Sequence, residues 1–270
     1  MKRLAVIAIL SIICSIADAQ TAHWITADDP TCNERNVWIE FRKDFDLKKK
    51  VKKAETRIAA DSKYWLYVNG QCVVFEGGLK RGPNPNDTYY DMVDLAPYLR
   101  KGKNEVKFLL WYFGKSGFSH KSSGQSGMIF DSPSIGLVSD SSWLSQRLDA
   151  YRTAGKPVVN YRLSEANILY DARLEGQDGY KPSVELGEWG CKPWNNLILR
   201  PIPQWKDYGV KPLEYTVSND GVGNTILTAR LPYNAQMTPV IDLDAAEEGV
   251  LVKMETDHIM GGSEPCIRAE

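Results

Sequence analysis

Short runs of alternating apolar and polar residues, separated by clusters of Gly, Pro, Asn and Ser, recur along the chain, and no long stretch repeats at the helical period. That pattern predicts many short strands, as in a β-sandwich. Between Lys53 and Ala60, residues Ala54, Thr56, Ile58 and Ala60 fall on one face, which reads as a strand with one side turned inward. Tyr64–Val68 and Gln71–Phe75 are β-rich runs joined by Asn69-Gly70. Both central positions of a type I′ turn need positive φ, which Asn and Gly tolerate, so a hairpin is predicted there. From Glu105 to Phe113, Val106, Phe108, Leu110 and Tyr112 lie on one face while Leu109, Trp111 and Phe113 lie on the other. Apolar residues on both faces mark a central strand covered on both sides.

Strand character also marks Tyr89–Val93, Met128–Val138, Ala150–Tyr151, Ile168–Leu174 and Leu197–Arg200, and Leu95–Leu99 reads as one helical turn. Two stretches, Glu76–Asn86 and Gly114–Gly127, are too rich in Gly, Pro, Asn and Ser for regular structure. Such loops are where a sandwich carries function. Between Lys192 and Pro212, four prolines with Trp194 and Trp205 make a stiff crossing segment and a candidate domain boundary. Beyond it, Gly223–Leu231, Val240–Leu243 and Val250–Thr256 read as strands of a second β unit, too small to close a sizeable core unaided. The predicted organisation is a leader at 1–19, a first β domain at 20–212 and the incomplete start of a second at 213–270. The chain stops directly after a strand-like segment and the Gly261-Gly262 turn, so the second domain is expected to continue past Glu270.

The leader rests on Lys2 and Arg3, an apolar run from Leu4 to Ile16, and Ala17-Asp18-Ala19, a small-x-small pattern that signal peptidase cleaves. The run falls short of the roughly 20 residues of a spanning helix, so export to periplasm or medium is expected rather than anchoring. The formal net charge of −1 becomes one unit more negative once Lys2, Arg3 and Asp18 leave. Nothing in that balance draws the chain to nucleic acid or membrane, and the Lys48–Lys53 run reads as a solvated turn. Cys32, Cys72, Cys191 and Cys266 remain, with no CxxC pair and no histidine at metal-ligand spacing, so no metal site is predicted. Export permits disulfides, and buried free thiols are the equal alternative.

Nucleophilic hydrolysis needs a Ser, Cys or Thr beside a positioned base. The histidines are His23, His120 and His258, no GxSxG occurs, and no Gly-rich phosphate loop follows a strand. No cofactor is implied, although a structural calcium ion is compatible with a sandwich. Close acidic pairs exist at Asp91 and Asp94, Asp171 and Glu175, Glu185 and Glu188, and Asp242 and Asp244, but turn carboxylates are common and no catalytic residue is assigned. Aromatic rings are the better lead, because flat rings stack on the apolar C–H face of a sugar while polar neighbours fix its hydroxyls. Most strand aromatics are packing residues. The loop-adjacent Arg81, Asp87, Tyr89, Tyr90, Phe118 and His120 are the candidates for carbohydrate contact.

Three blocks carry a family resemblance. Ile58–Gly70 with Tyr89–Leu95 and Leu99–Asn104 resembles the galactose-binding-like jelly roll of exported glycoside hydrolases. Phe113–His120 with Arg200–Gly209 is similar to the N-terminal region of bacterial α-L-rhamnosidases, and Leu231–Gln236 through Thr256–Asp257 to Glu270 is similar to the start of that family's next β domain. The resemblance spans Trp24 to Glu270. It implies an all-β chain, a galactose-binding-like jelly-roll sandwich followed by the truncated start of a second β-sandwich domain. It further implies an enzyme that removes terminal α-L-rhamnose from plant glycans with inversion. That family's catalytic acid and base lie in a downstream (α/α)6 barrel, and no position here matches their motif. The expected role is therefore accessory, with a rhamnose-containing glycan and the barrel of the same polypeptide as partners. A free carbohydrate-binding module is the alternative.

Overall fold

The computed structural model describes residues 21–78, 86–117, 120–154, 167–176, 178–205 and 208–229. The leader, Arg81, Phe118, Cys266 and the expected strands at 240–243 and 250–256 lie outside them. The chain divides into two compact units at Pro203 and Gln204.

In chain order, the first unit holds β1 (His23–Thr26), β2 (Val37–Leu47), β3 (Glu55–Asp61), β4 (Lys63–Val68), β5 (Gln71–Gly78), β6 (Thr88–Asp94), β7 (Gly102–Tyr112) and β8 (Gly127–Ser132). There follow β9 (Leu137–Val138), β10 (Leu144–Arg147), β11 (Tyr151–Ala154), β12 (Asn167–Tyr170), β13 (Lys181–Pro182), β14 (Val184–Glu188) and β15 (Leu197–Leu199). One sheet runs β14-β1-β8-β3-β6-β15 with β9 beside β8; the other runs β13-β10-β2-β7-β4-β5. The result is the all-β sandwich expected from the alternating pattern, of the jelly-roll kind that the resemblance implied. The core between the sheets is built from Ile39 and Phe41 of β2, Ile58 of β3, Leu66 of β4, Val106, Phe108 and Leu110 of β7, and Met128 and Phe130 of β8.

The strand expected at Glu105–Phe113 is β7, paired with β2 in unbroken register from Val37 opposite Tyr112 to Leu47 opposite Gly102, and with β4 on its other side. Both faces are covered. Trp111 and Phe113 form a second apolar cluster with Trp38 on the outer side, where Trp38 stacks on Trp111 at 4.9 Å and on Tyr151 of β11 at 5.4 Å. On the outer side of the other sheet, Trp24 of β1 and Trp194 stack at 3.9 Å with planes 5° apart. The Asn69-Gly70 hairpin forms as read, with φ of 51° and 79° and Val68 paired to Gln71.

Two expected strands are shorter than read. Met128–Val138 breaks after Ser132, because Pro133 cannot donate to the ladder; a 3-10 turn spans Pro133–Ile135, and Gly136 at φ 64° turns the chain into β9. The strand at Ile168–Leu174 ends at Tyr170, where Asp171 accepts from the Arg173 N–H and caps a 3-10 turn. Cys32 and Cys191 are free thiols, and Cys72 is exposed rather than buried, on the edge strand β5. In the second unit, β16 (Tyr215–Asn219) and β17 (Thr225–Ala229) form a hairpin whose turn is held by Asp220 Oδ1, which accepts from the Val222 and Asn224 N–H groups at 2.9 and 3.0 Å.

Gly77 lies so close to the Tyr64 ring that an added Cβ would stand 2.4 Å from it, whereas a Cβ on Gly70 would meet nothing within 4 Å. Gly77→Ala should therefore lose about 1–3 kcal/mol through overpacking. Gly70→Ala should lose about 1 kcal/mol, from left-handed backbone strain alone. Urea unfolding of both variants checks this, and a Gly77→Ala midpoint equal to that of the parent would refute the close contact.

Candidate functional site

Register places one set of loops at a single end of the sandwich. Asp61 at the end of β3 faces Gly127 at the start of β8, Tyr112 at the end of β7 faces Val37 at the start of β2, and Lys63 at the start of β4 faces Gly78 at the end of β5. β6 begins at that end, and β1 and β10 finish there. Asp87 and His120 both lie at this end, but the described candidates do not converge on one surface. Successive side chains of a strand point to opposite faces, so Tyr89 and Tyr90 serve different sides of their sheet. Tyr90 points outward, edge-on to Trp189 at 5.4 Å. Asp87 is nearly buried, with Oδ1 accepting from Asn196 Nδ2 at 3.3 Å.

His120 is not a surface residue: it is 1% exposed, with its ring edge-on to Phe113. Its Nε2 lies 3.1 Å from Ser62 Oγ and 3.4 Å from Asp61 Oδ1. Asp61 Oδ2 accepts from the Ser123 N–H at 2.8 Å, and Ser62 Oγ accepts from the Phe113 N–H at 3.2 Å. Ser, His and Asp meet here, yet not as a nucleophilic relay. A relay uses the two imidazole nitrogens separately, one for the serine and one for the carboxylate, whereas here both partners share Nε2 and no substrate reaches the buried group. The cluster anchors the loop between β7 and β8.

A second buried network joins strand ends. Asp91 of β6 points inward, where Oδ2 accepts from Tyr64 Oη at 2.7 Å and from the Gly78 N–H at 3.2 Å. Arg200, just past β15, sets its Nε 2.6 Å from Asp91 Oδ1 and donates Nη1 to the Gly78 carbonyl at 3.1 Å. In each of the other described acidic pairs, one carboxylate is engaged as well. Asp94 caps the Ala54 and Ala96 N–H groups. Asp171 is held down at about 2 by its hydrogen bond with Arg173, opposite to what a general acid needs. Glu185 accepts from the Ser141 N–H at 2.7 Å. Asp242 and Asp244 lie outside the described residues.

Two surface features remain. On the outer face of the β14–β15 sheet, the Arg57 guanidinium sits 4.5 Å from the Trp189 ring centre and pairs with Asp131, beside Tyr90. This partly buried ring with a donor and an acceptor at its edge suits a sugar's apolar face and hydroxyls. Sequence reading missed Trp189 and Arg57. Trp189 sits between Gly187 and Gly190, and an aromatic residue in a glycine-flanked turn is the signal that marked it as surface. At the loop end, a polar cavity of about 320 Å³ opens between the β1–β2 connection, β10 and β13. Among the described residues, no group of three or more His, Cys, Asp or Glu is placed to hold a metal ion.

The class defined by this architecture is a two-sheet, all-β sandwich, and comparison with known proteins finds the same fold in parts of larger proteins. No protein-family model matches the sequence, and no curated protein matches it either. Among solved structures, the GH78 family rhamnosidase of Bacillus sp. GL1 is similar over 68% of this chain and 20% of its own, with 28% identity and a TM-score of 0.54. The α-L-rhamnosidase of Aspergillus terreus is similar in fold over 78% of this chain and 26% of its own, with 20% identity and a TM-score of 0.52. The chain thus spans well under two thirds of the length of either enzyme, and shares the fold of a part of each.

The Tyr64 phenol is pushed well above its usual value by burial and by the adjacent Asp91 carboxylate, against the smaller opposing pull of Arg200. The proton is held more tightly in the folded chain, so the stability contributed by this group is intact below the unfolded phenol value of about 10 and is lost as pH rises above it. Tyr64→Phe should lower stability by about 1 kcal/mol at neutral pH, through the missing hydrogen bond, and should flatten the decline above pH 10. Denaturant titrations across pH 8–11 check this; an unchanged alkaline slope in the variant would refute it.

Proposed function

We propose that this chain is the accessory, carbohydrate-associated region of an exported α-L-rhamnosidase-like glycoside hydrolase, without hydrolytic activity of its own. The observation that carries the reading is the likeness to the Bacillus rhamnosidase at 28% identity over 68% of this chain. The engagement of at least one carboxylate of each described acidic pair in a cap or ion pair supports the non-catalytic part, since glycoside hydrolysis needs two free carboxyl groups facing each other across a sugar. In this reading, cleavage of terminal α-L-rhamnose belongs to a downstream barrel of the same polypeptide, and the sandwich presents rhamnose-containing glycan to it. The partly buried Trp189 ring beside Tyr90, Arg57 and Asp131 favours a second reading, a module that binds glycan independently of any barrel.

Incubated with an aryl α-L-rhamnoside, the chain should release no aryl alcohol above the buffer blank; turnover that scales with protein would overturn the accessory reading. On arrays of rhamnose-containing plant glycans the chain should bind, and Trp189→Ala should weaken binding about tenfold or more, the loss expected when a stacking ring is removed. Binding unchanged in both Trp189→Ala and Tyr90→Ala would remove the outer face as the glycan surface.

A further inference from the structure

We infer that the polar cavity at the loop end is a separate subsite for a single neutral monosaccharide unit, an inference that rests on the carbohydrate-associated reading above. Its volume of about 320 Å³ lies at the lower end of the range for small-molecule sites, enough for one pyranose and too little for a chain of them. Three carboxylates, Asp28, Asp29 and Asp149, and two cations, Arg147 and Lys181, line it. A ligand of either charge would meet repulsion from one set, whereas sugar hydroxyls donate to the carboxylates and accept from the cations.

The charged groups hold their partners only at long range, Arg147 Nη1 donating to the Thr31 carbonyl and Lys181 Nζ to the Asp28 carbonyl, each at 3.4 Å. Arg147 lies 3.7 Å from Asp149 and 3.4 Å from Glu34, and Lys181 lies 3.9 Å from Asp28. Charge-assisted hydrogen bonds close to about 2.7–2.9 Å, so each of these pairs is loose enough for a hydroxyl to enter. The floor is fixed by contrast. Asp29 Oδ1 accepts from Thr31 Oγ1 at 2.6 Å and from the Thr31 N–H at 2.9 Å, and Gln146 Oε1 accepts from the Gly179 N–H at 2.9 Å. A rigid floor with loosely engaged walls is pre-organised for a polyhydroxylated guest. No aromatic ring lines the cavity among the described residues, so recognition there is by hydrogen bonds. It differs in kind from the stacking surface at Trp189.

Saturation-transfer NMR on the full chain tests this, with L-rhamnose, D-galactose and D-glucose as neutral probes and D-galacturonate and D-glucosamine as charged ones. At least one neutral sugar should bind and the charged ones should not. Arg147→Gln with Asp149→Asn should weaken binding at least tenfold while Trp189→Ala leaves it unchanged. Lys181→Gln, at a largely exposed position, provides a second variant that keeps the fold, and it should weaken binding as well. Sugar binding that survives the cavity variants but falls in Trp189→Ala overturns the subsite and leaves the proposed function standing. So does binding of array glycans with no monosaccharide response, and equal binding of charged and neutral sugars overturns the subsite too. Silence in both the array and the NMR experiment overturns the two readings together.

Discussion

The eleven-residue pairing of β2 with β7 is the constraint on which the rest of the first unit is arranged. A strand bonded on both edges and apolar on both faces has no side left for water, so everything around it must be covered. Inward, Phe108 and Leu110 set the spacing to the opposite sheet. Outward, Trp111 and Phe113 oblige the chain to return over them, and Tyr151 arrives by stacking on Trp38. The other sheet solves the same problem with a different segment, laying Trp194 on Trp24. Both outer layers come from the last third of the first unit, so a sandwich that reads as complete by β8 is closed only by segments later in the chain.

That division marks how much was legible in the sequence. Local signals were enough for β3, the Asn69-Gly70 hairpin and β7, because alternation and turn chemistry act over a few residues. β2 went unassigned although Phe41, Phe45 and Leu47 alternate with charged residues; its first half, Val37-Trp38-Ile39, is apolar on both faces and hid the period. β13 and β14 are short edge pieces and β10 is a short strand beside one of them; their identity comes from the neighbours they pair with, not from their own residues. Pro133 and Asp171 cut two strands that hydropathy alone ran together.

The candidate site was legible in kind but not in place. Tyr90 was singled out, while its partners Trp189, Arg57 and Asp131 come from three other segments and meet only through the sheet. His120 read as a loop histidine and is instead buried, because Asp61 and Ser62, nearly sixty residues earlier, form its socket. A polar residue in a Gly-Ser loop gives no sign of which way it turns; the partner that decides lies far off in sequence.

The pairing of β15 with β6 is parallel, and Asn196 meets Asp87 across 109 residues. Contacts of such separation are slow to form, since the loop must close before they return any free energy. On the ribosome, at about 5–20 residues per second, the open edge of β6 waits roughly 5–20 seconds for its partner to be synthesised. For that interval it offers unpaired N–H and C=O groups to any neighbouring nascent strand. Arg200, arriving next after β15 to join Asp91 and Gly78, therefore acts as a latch that ends the exposure, and the vulnerability of this fold is one of timing during synthesis.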